Sequence, residues 1–154
     1  MDTARGRRIA AVALTAALSS ATSGAVNAAP EVLQKSTIKN VSVQASKEWT
    51  NTGIRLEEGQ TFAIDASGTV KIAASDPGKT PNGEQGCTAG EGWLVPDATC
   101  YSLVGFTADN EPQEIDDYGE YYAKSTGYLY LGVNDEKGAF LDNSGAWQVK
   151  VTIF

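Results

Sequence analysis

The chain has 154 residues, a formal net charge of −7 and no histidine. The missing histidine excludes Ser-His and Cys-His nucleophile systems and histidine-ligated zinc. The acidic balance offers no basic stripe to a phosphate backbone or an anionic bilayer, so nucleic acid is not an expected partner, whereas divalent cations and neutral ligands suit it.

Arg5, Arg7 and Arg8 precede an apolar run from Ile9 to Leu18, and small residues close the segment at Val26-Asn27-Ala28-Ala29. That order of charge, apolar core and small-residue end predicts a secretory signal peptide over residues 1–29. The apolar run is well short of the roughly 18 residues that a membrane span needs, so export without membrane insertion is expected, giving a secreted protein. Removing 29 of 154 residues leaves 125, enough for one domain with its own core. Three arginines and one aspartate leave with the peptide, which takes the charge from −7 to −9. Residues 30–40 are polar without a period and read as a flexible leader.

From Val41 onward the period is two. Val41 and Val43, then Ile54 and Leu56, read as two short strands around a loop carrying Trp49. Phe62, Ile64 and Ala66 alternate with Thr61, Ala63 and Asp65, and Thr69 to Ala73 reads as a further strand. From Ser75 to Asp97 the alternation stops and Gly, Pro and polar residues take over. A loop this long in a compact domain is either functional or tied down. Cys87 and Cys100 are the only cysteines. In an exported chain such a pair reads as a disulfide, two free thiols being the alternative, and no further ligands complete a zinc set. Closing this loop is worth about 3 kcal/mol in the chain-entropy account.

Leu103, Val104 and Phe106 resume strand character. Asp109, Glu111, Glu114, Asp116, Asp117 and Glu120 then follow with few apolar residues between them. Like charges at this density read as a solvated loop, with a second cation site as the alternative. No segment beyond residue 29 carries a helical stripe. Short alternating runs separated by turn residues predict an all-β, single-domain β-sandwich over residues 41–154.

The last stretch, Thr126 to Phe154, concentrates the chemistry. Leu129, Leu131 and Val133 alternate with Tyr128, Tyr130 and Gly132, and Trp147, Val149, Val151 and Ile153 alternate with Gln148, Lys150 and Thr152. Between these arms lie Asn134, Asp135, Glu136, Asp142, Asn143 and Ser144, with Gly138 and Gly145 to let the backbone turn back. Hard oxygen ligands are thereby expected at one sheet edge. Calcium takes six to eight such oxygens from carboxylates, amides and main-chain carbonyls, although Asn-Asp and Asp-Asn-Ser-Gly are also ordinary turn sequences. The spacing is not that of an EF-hand.

Several of these residues form a recognisable set. Ser125-Thr126-Gly127 with Leu129, Leu131 and Asn134-Asp135, followed by Asp142 to Trp147, matches one motif; EWTNTGIRLEEG from Glu48 to Gly59, then Ile64 to Gly68, matches another. With Leu103-Val104-Gly105 they span roughly Val41 to Phe154 and resemble the PA-IL-like family of bacterial calcium-dependent, galactose-binding lectins. The resemblance implies a sandwich of jelly-roll or galactose-binding-domain-like type and a binding protein rather than an enzyme. It implies calcium held by Asp135, the main-chain carbonyl of Ala139, Asp142, Asn143 and the main-chain carbonyl of Ile72. Asp142 stands where the family has an amide. It further implies that sugar hydroxyls complete the ion's coordination while Asp135 and Asp142 accept hydrogen bonds from them. The implied partners are saccharides or glycoconjugates, galactosides included. The family's galactose lectin holds the sugar's primary hydroxyl with a histidine and a glutamine from the mid-chain loop. This chain has no histidine, which leaves Gln85 or Asn82 for that contact.

Paired carboxylates about 5–10 Å apart can hydrolyse a glycoside. In so small a sandwich, clustered Asp and Asn on one loop are better explained by a cation. Two rival readings stay open: a calcium-stabilised interaction module that binds no sugar, and an interaction module that binds no metal.

Overall fold

The computed structural model describes residues 35–108 and 110–154. The expected signal peptide, most of the leader and Asp109 lie outside the described residues. Among those described there is no helix, and nine strands form two sheets. The strands are β1 (Thr37–Gln44), β2 (Thr50–Leu56), β3 (Thr61–Ser67), β4 (Val70–Lys71), β5 (Leu103–Thr107), β6 (Gln113–Glu114), β7 (Tyr118–Tyr122), β8 (Gly127–Val133) and β9 (Ser144–Ile153). One sheet runs β1-β9-β3-β7, with β4 also paired to β9, and the other runs β2-β8-β5-β6. Every strand pairing is antiparallel. The all-β sandwich expected from the alternation is the architecture found.

The core follows from that alternation. Trp147, Val149 and Val151 of β9 point inward onto Phe62, Ile64 and Ala66 of β3, and they meet Leu56, Leu103, Leu129 and Leu131 of the facing sheet. Each such Val, Leu, Ile or Phe side chain, taken from water to full burial, contributes on the order of 1.5–3 kcal/mol. Trp147, the largest fully buried side chain, satisfies its indole N–H on the carbonyl of Lys79 at 3.0 Å.

Three expectations change. Thr37 to Asn40 are not leader: they pair with Lys150 to Ile153 as the first half of β1. Their side chains are exposed, so backbone bonding alone holds them and no buried period marks them in the sequence. Thr69 to Ala73 contracts to the two residues of β4. The acidic stretch contains β6 and most of β7, the latter paired to β3 along Asp65↔Tyr118 to Thr61↔Tyr122. It is therefore part of the sandwich rather than a solvated loop. Tyr121 turns inward against Phe62, at 5.7 Å between ring centroids, while Tyr118 and Tyr122 face solvent.

The two C-terminal arms also part company. β8 belongs to one sheet and β9 to the other, so residues 134–143 cross between sheets instead of closing a hairpin at one edge.

The mid-chain excursion is tied down at several points. Isolated bridges join Val70 to Lys79, Asn82 to Ser102, Thr88 to Thr99 and Trp93 to Glu136, and the expected disulfide joins Cys87 to Cys100 across a Cα separation of 5.4 Å. Leu103 faces the main core, so its neighbour Val104 points to the opposite face of the sheet. There Val104 forms a second apolar cluster with Leu94 and Phe140, flanked by Trp49 and Val95. The excursion thus covers the outer face of β5.

Candidate functional site

β8 ends at Val133 and leads into Asn134 and Asp135, the first residues of the crossing. Asn134 is fully buried and structural: its Oδ1 accepts from the Val95 N–H at 2.9 Å, and its Nδ2 donates to the carbonyls of Val95 and Thr99, each at 3.1 Å. Its backbone N–H donates to the Ser102 carbonyl and its own carbonyl accepts from Tyr101. The Leu94 N–H donates to the Asp135 carbonyl at 3.0 Å. The Asn134-Asp135 backbone is therefore held by Leu94 of the mid-chain excursion and by Tyr101 and Ser102.

Asp135 is 5% exposed as a residue. Its Oδ1 accepts from the Glu136 N–H at 2.7 Å, and its Oδ2 accepts from Asn143 Nδ2 at 2.9 Å. Burial pushes this carboxyl above the usual carboxylate range; the Asn143 amide and Glu136 N–H pull it back, and the charges of Asp142 and Glu136 push it up again. A buried negative charge near other negative charges is costly without a counter-charge.

Asn143 is equally buried, and its Nδ2 also donates to the Ala45 carbonyl at 3.2 Å. Both neighbours of that nitrogen are acceptors, which fixes the amide's orientation. Its Oδ1 is then left buried with no hydrogen-bond partner. An orphaned buried carbonyl costs about 1–3 kcal/mol. A hard cation would relieve both the orphaned oxygen and the buried carboxylate, so these residues fit a calcium-type ligand set. Among the described residues no three acidic or thiol side chains gather closely enough to hold an ion by themselves. Amide and main-chain oxygens must supply the balance.

The remaining residues of the expected set fall nearby in part. Lys71 pairs with Ser144, so Ile72 is the residue that follows the last pair of this ladder. Ala139 and Asp142 are exposed on the crossing, where the Ala139 N–H donates to the Glu136 carbonyl and the Asn143 N–H to the Phe140 carbonyl. Gln85 is elsewhere: its exposed amide donates to the Asn82 carbonyl at 3.1 Å, and it lines a shallow depression with Thr80, Asn82, Thr99 and Asp116.

The structure adds residues for which spacing gave no signal. Asp76 Oδ2 accepts from the Ile72 N–H at 3.2 Å, and its Oδ1 meets Lys79 Nζ at 3.0 Å. Lys79 also reaches Glu84 Oε2 at 3.1 Å. Burial opposes ionisation of Asp76, but Lys79 and the backbone N–H groups of Ile72 and Gly78 hold its carboxyl below the ordinary value. Beside them the Tyr101 ring packs against Trp93 at 5.0 Å, and Lys79 Nζ lies 5.9 Å from its centroid. Burial first, then the charge of Asp135, raises the Tyr101 phenol. Trp93 is the single aromatic between residues 63 and 100, the one trace of this cluster in the sequence.

No family model and no curated protein matches the chain. Among solved structures it is similar to the N-terminal domain of EclA, a PllA-like lectin, at 25% identity and a TM-score of 0.59, over 75% of this chain and 95% of that one. The fold is lectin-like, and the similar domain is of a non-enzyme kind.

Proposed function

We propose that this is an exported carbohydrate-binding protein in which calcium, held at the crossing between the sheets, bridges the chain to sugar hydroxyls. The observation that carries the reading is a buried carboxylate, Asp135, bound to the Nδ2 of an Asn143 amide whose buried Oδ1 is left without a partner. The likeness to a PllA-like lectin supports the sugar half of it. The protein ligands are Asp135, Asn143, Asp142 and the carbonyls of Ala139 and Ile72. Bound calcium supplies open coordination positions to vicinal hydroxyls, galactosides included. Asp135 and Asp142 accept hydrogen bonds from those hydroxyls, and Asp76 orients the Ile72 turn. Gln85 has at most a peripheral contact with the sugar.

Calorimetry and thermal melts on the mature chain test this. A ligand that binds only the folded state stabilises it by RT ln(1 + [L]/Kd), about 2.7 kcal/mol at a hundredfold excess over Kd. Calcium raises the melting temperature, EGTA reverses the rise, and magnesium, which sheds water reluctantly, does less. Asp135→Ala abolishes both the calcium shift and sugar retention. Asp142→Asn keeps sugar binding with weaker calcium affinity. Gln85→Ala costs no more than about 0.5–1.5 kcal/mol, the net worth of a neutral hydrogen bond. If calcium binds and no glycan on a broad array is retained, the protein is a calcium-stabilised interaction module instead.

A further inference from the structure

We infer that Trp93 and Tyr101 form an aromatic platform beside the crossing, which takes the C–H face of a neutral pyranose whose hydroxyls reach the Asp135 side. The inference rests on the carbohydrate reading above and names the sugar's second contact.

Two backbone connections place the rings. The Tyr101 N–H donates to the Asn134 carbonyl at 2.7 Å, and Trp93 bridges Glu136, with the Leu94 N–H on the Asp135 carbonyl and the Lys137 N–H on the Gly92 carbonyl. The Tyr101 and Trp93 backbones therefore flank the Asn134-Asp135-Glu136 segment, and their rings meet beside it. Their rings are 5.0 Å apart and inclined at 57°, and both residues are partly exposed.

A purely structural role accounts poorly for Trp93. The excursion's apolar anchoring comes from Leu94, which packs with Phe140 and Val104, and its covalent anchoring from Cys87–Cys100. Tyr101 holds a positive φ of 60°, an uncommon conformation for a residue with a side chain, and such outliers cluster at ligand sites. Lys79 is engaged by both Asp76 and Glu84, so it does not stand free to attract an acidic sugar. What the rim offers beyond Asp135 is flat apolar surface. A ring pair of this kind complements the C–H face of an uncharged pyranose, and aromatic contacts are worth about 0.5–1.5 kcal/mol beyond the area they bury.

The test uses the mature chain in saturating calcium, with wild type, Trp93→Ala and Trp93→Phe read on one array of neutral and acidic glycans. Methyl β-galactoside titrations followed by tryptophan fluorescence accompany it. In the expected result the wild type retains neutral glycans, Trp93→Ala loses about fivefold to tenfold in affinity, and Trp93→Phe loses less. Calcium affinity in both variants stays within about twofold of wild type, as for a surface substitution. Sugar shifts the emission of the wild type and not that of Trp93→Phe, because Trp147 is buried in the core and Trp49 packs edge-on against Phe106. Tyr101→Ala weakens sugar in the same sense, but its ring also packs on the core, so Trp93 carries the decision. Neutral glycan binding unchanged in Trp93→Ala overturns the platform while the lectin reading stands. Absence of glycan retention by calcium-loaded wild type overturns both.

Discussion

The outer face of the β1-β9-β3-β7 sheet presents Thr61, Asp65, Tyr118, Tyr122, Gln148 and Lys150 to water, with a Lys150–Asp65 ion pair at 2.6 Å lying across it. On the other sheet, Val104 is buried beneath Leu94 and Phe140, and Gly132 has the Glu48 carbonyl and the Trp49 ring over it. The difference teaches where irregular backbone can be held rigid. A bare face needs only alternation. A covered face supplies a second apolar cluster, and on that cluster a long loop can be fixed firmly enough to grip a buried carboxylate. Asp135 sits against the covered side.

That contrast can be broken from its strongest point downward. Gly83 has a φ of +68°, and a Cβ there would stand 2.3 Å from the Cys100 carbonyl and 2.6 Å from the Ser102 nitrogen. Gly83→Ala is expected to cost about 3 kcal/mol, from overpacking and backbone strain together, measured by urea denaturation. Wild-type stability in that variant would mean the excursion is not clamped where the structure clamps it.

Reducing Cys87–Cys100 comes next, at about 3 kcal/mol in the chain-entropy account. Amide exchange sharpens the comparison. The Ala89 and Cys100 N–H groups, bonded to the Ala98 and Cys87 carbonyls, should exchange faster after reduction, whereas β9 amides stay protected. Equal acceleration in both regions would make the two faces a single cooperative unit.

Asp116 joins β6 to β7 between the two sheets, and its carboxyl is pushed up to about 6, first by burial and then by Glu114 and Asp117. The folded state thus holds this proton more tightly than the unfolded chain, whose carboxyl titrates near the ordinary 3.8. The stability it contributes is full below about pH 4 and is lost as pH rises through about 6. Asp116→Asn should match wild type near pH 4 and exceed it at pH 7.5 by about 1 kcal/mol, after discounting for its partial exposure. Parallel melting curves across that range would remove the burial effect. At the small end, Gln148→Ala on the bare face should change stability by less than about 0.5 kcal/mol.

Much of the sandwich was legible because its core strands leave one face wet: Phe62-Ile64-Ala66 and Trp147-Val149-Val151 announce themselves by period. Strands with few or no inward side chains do not. Thr37 to Asn40 bury no side chain, and β7 is written Tyr-Gly-Glu-Tyr-Tyr within an acidic run, so neither carries an apolar signal. The site was half legible. Asp135 and Asn143 lie on one loop and their residue types declare hard-oxygen chemistry, but the orphaned Oδ1 depends on the Ala45 carbonyl, 98 positions away. Asp76, Lys79 and Glu84 meet only because the excursion folds back on itself. The crossing of residues 134–143 between sheets is invisible to period, since two alternating arms look the same whether they pair or part.

The rings beside the crossing have an optical consequence. Terbium substitutes for calcium at hard-oxygen sites and emits weakly unless a nearby indole or phenol passes it excitation energy. The Trp93 and Tyr101 backbones flank the segment that carries Asp135, so terbium bound at the proposed calcium site would become luminescent when the indole is excited. Because that glow needs only the ion and the ring, it counts occupied sites before any saccharide is added, and Trp93→Phe dims it in proportion to the donor's share.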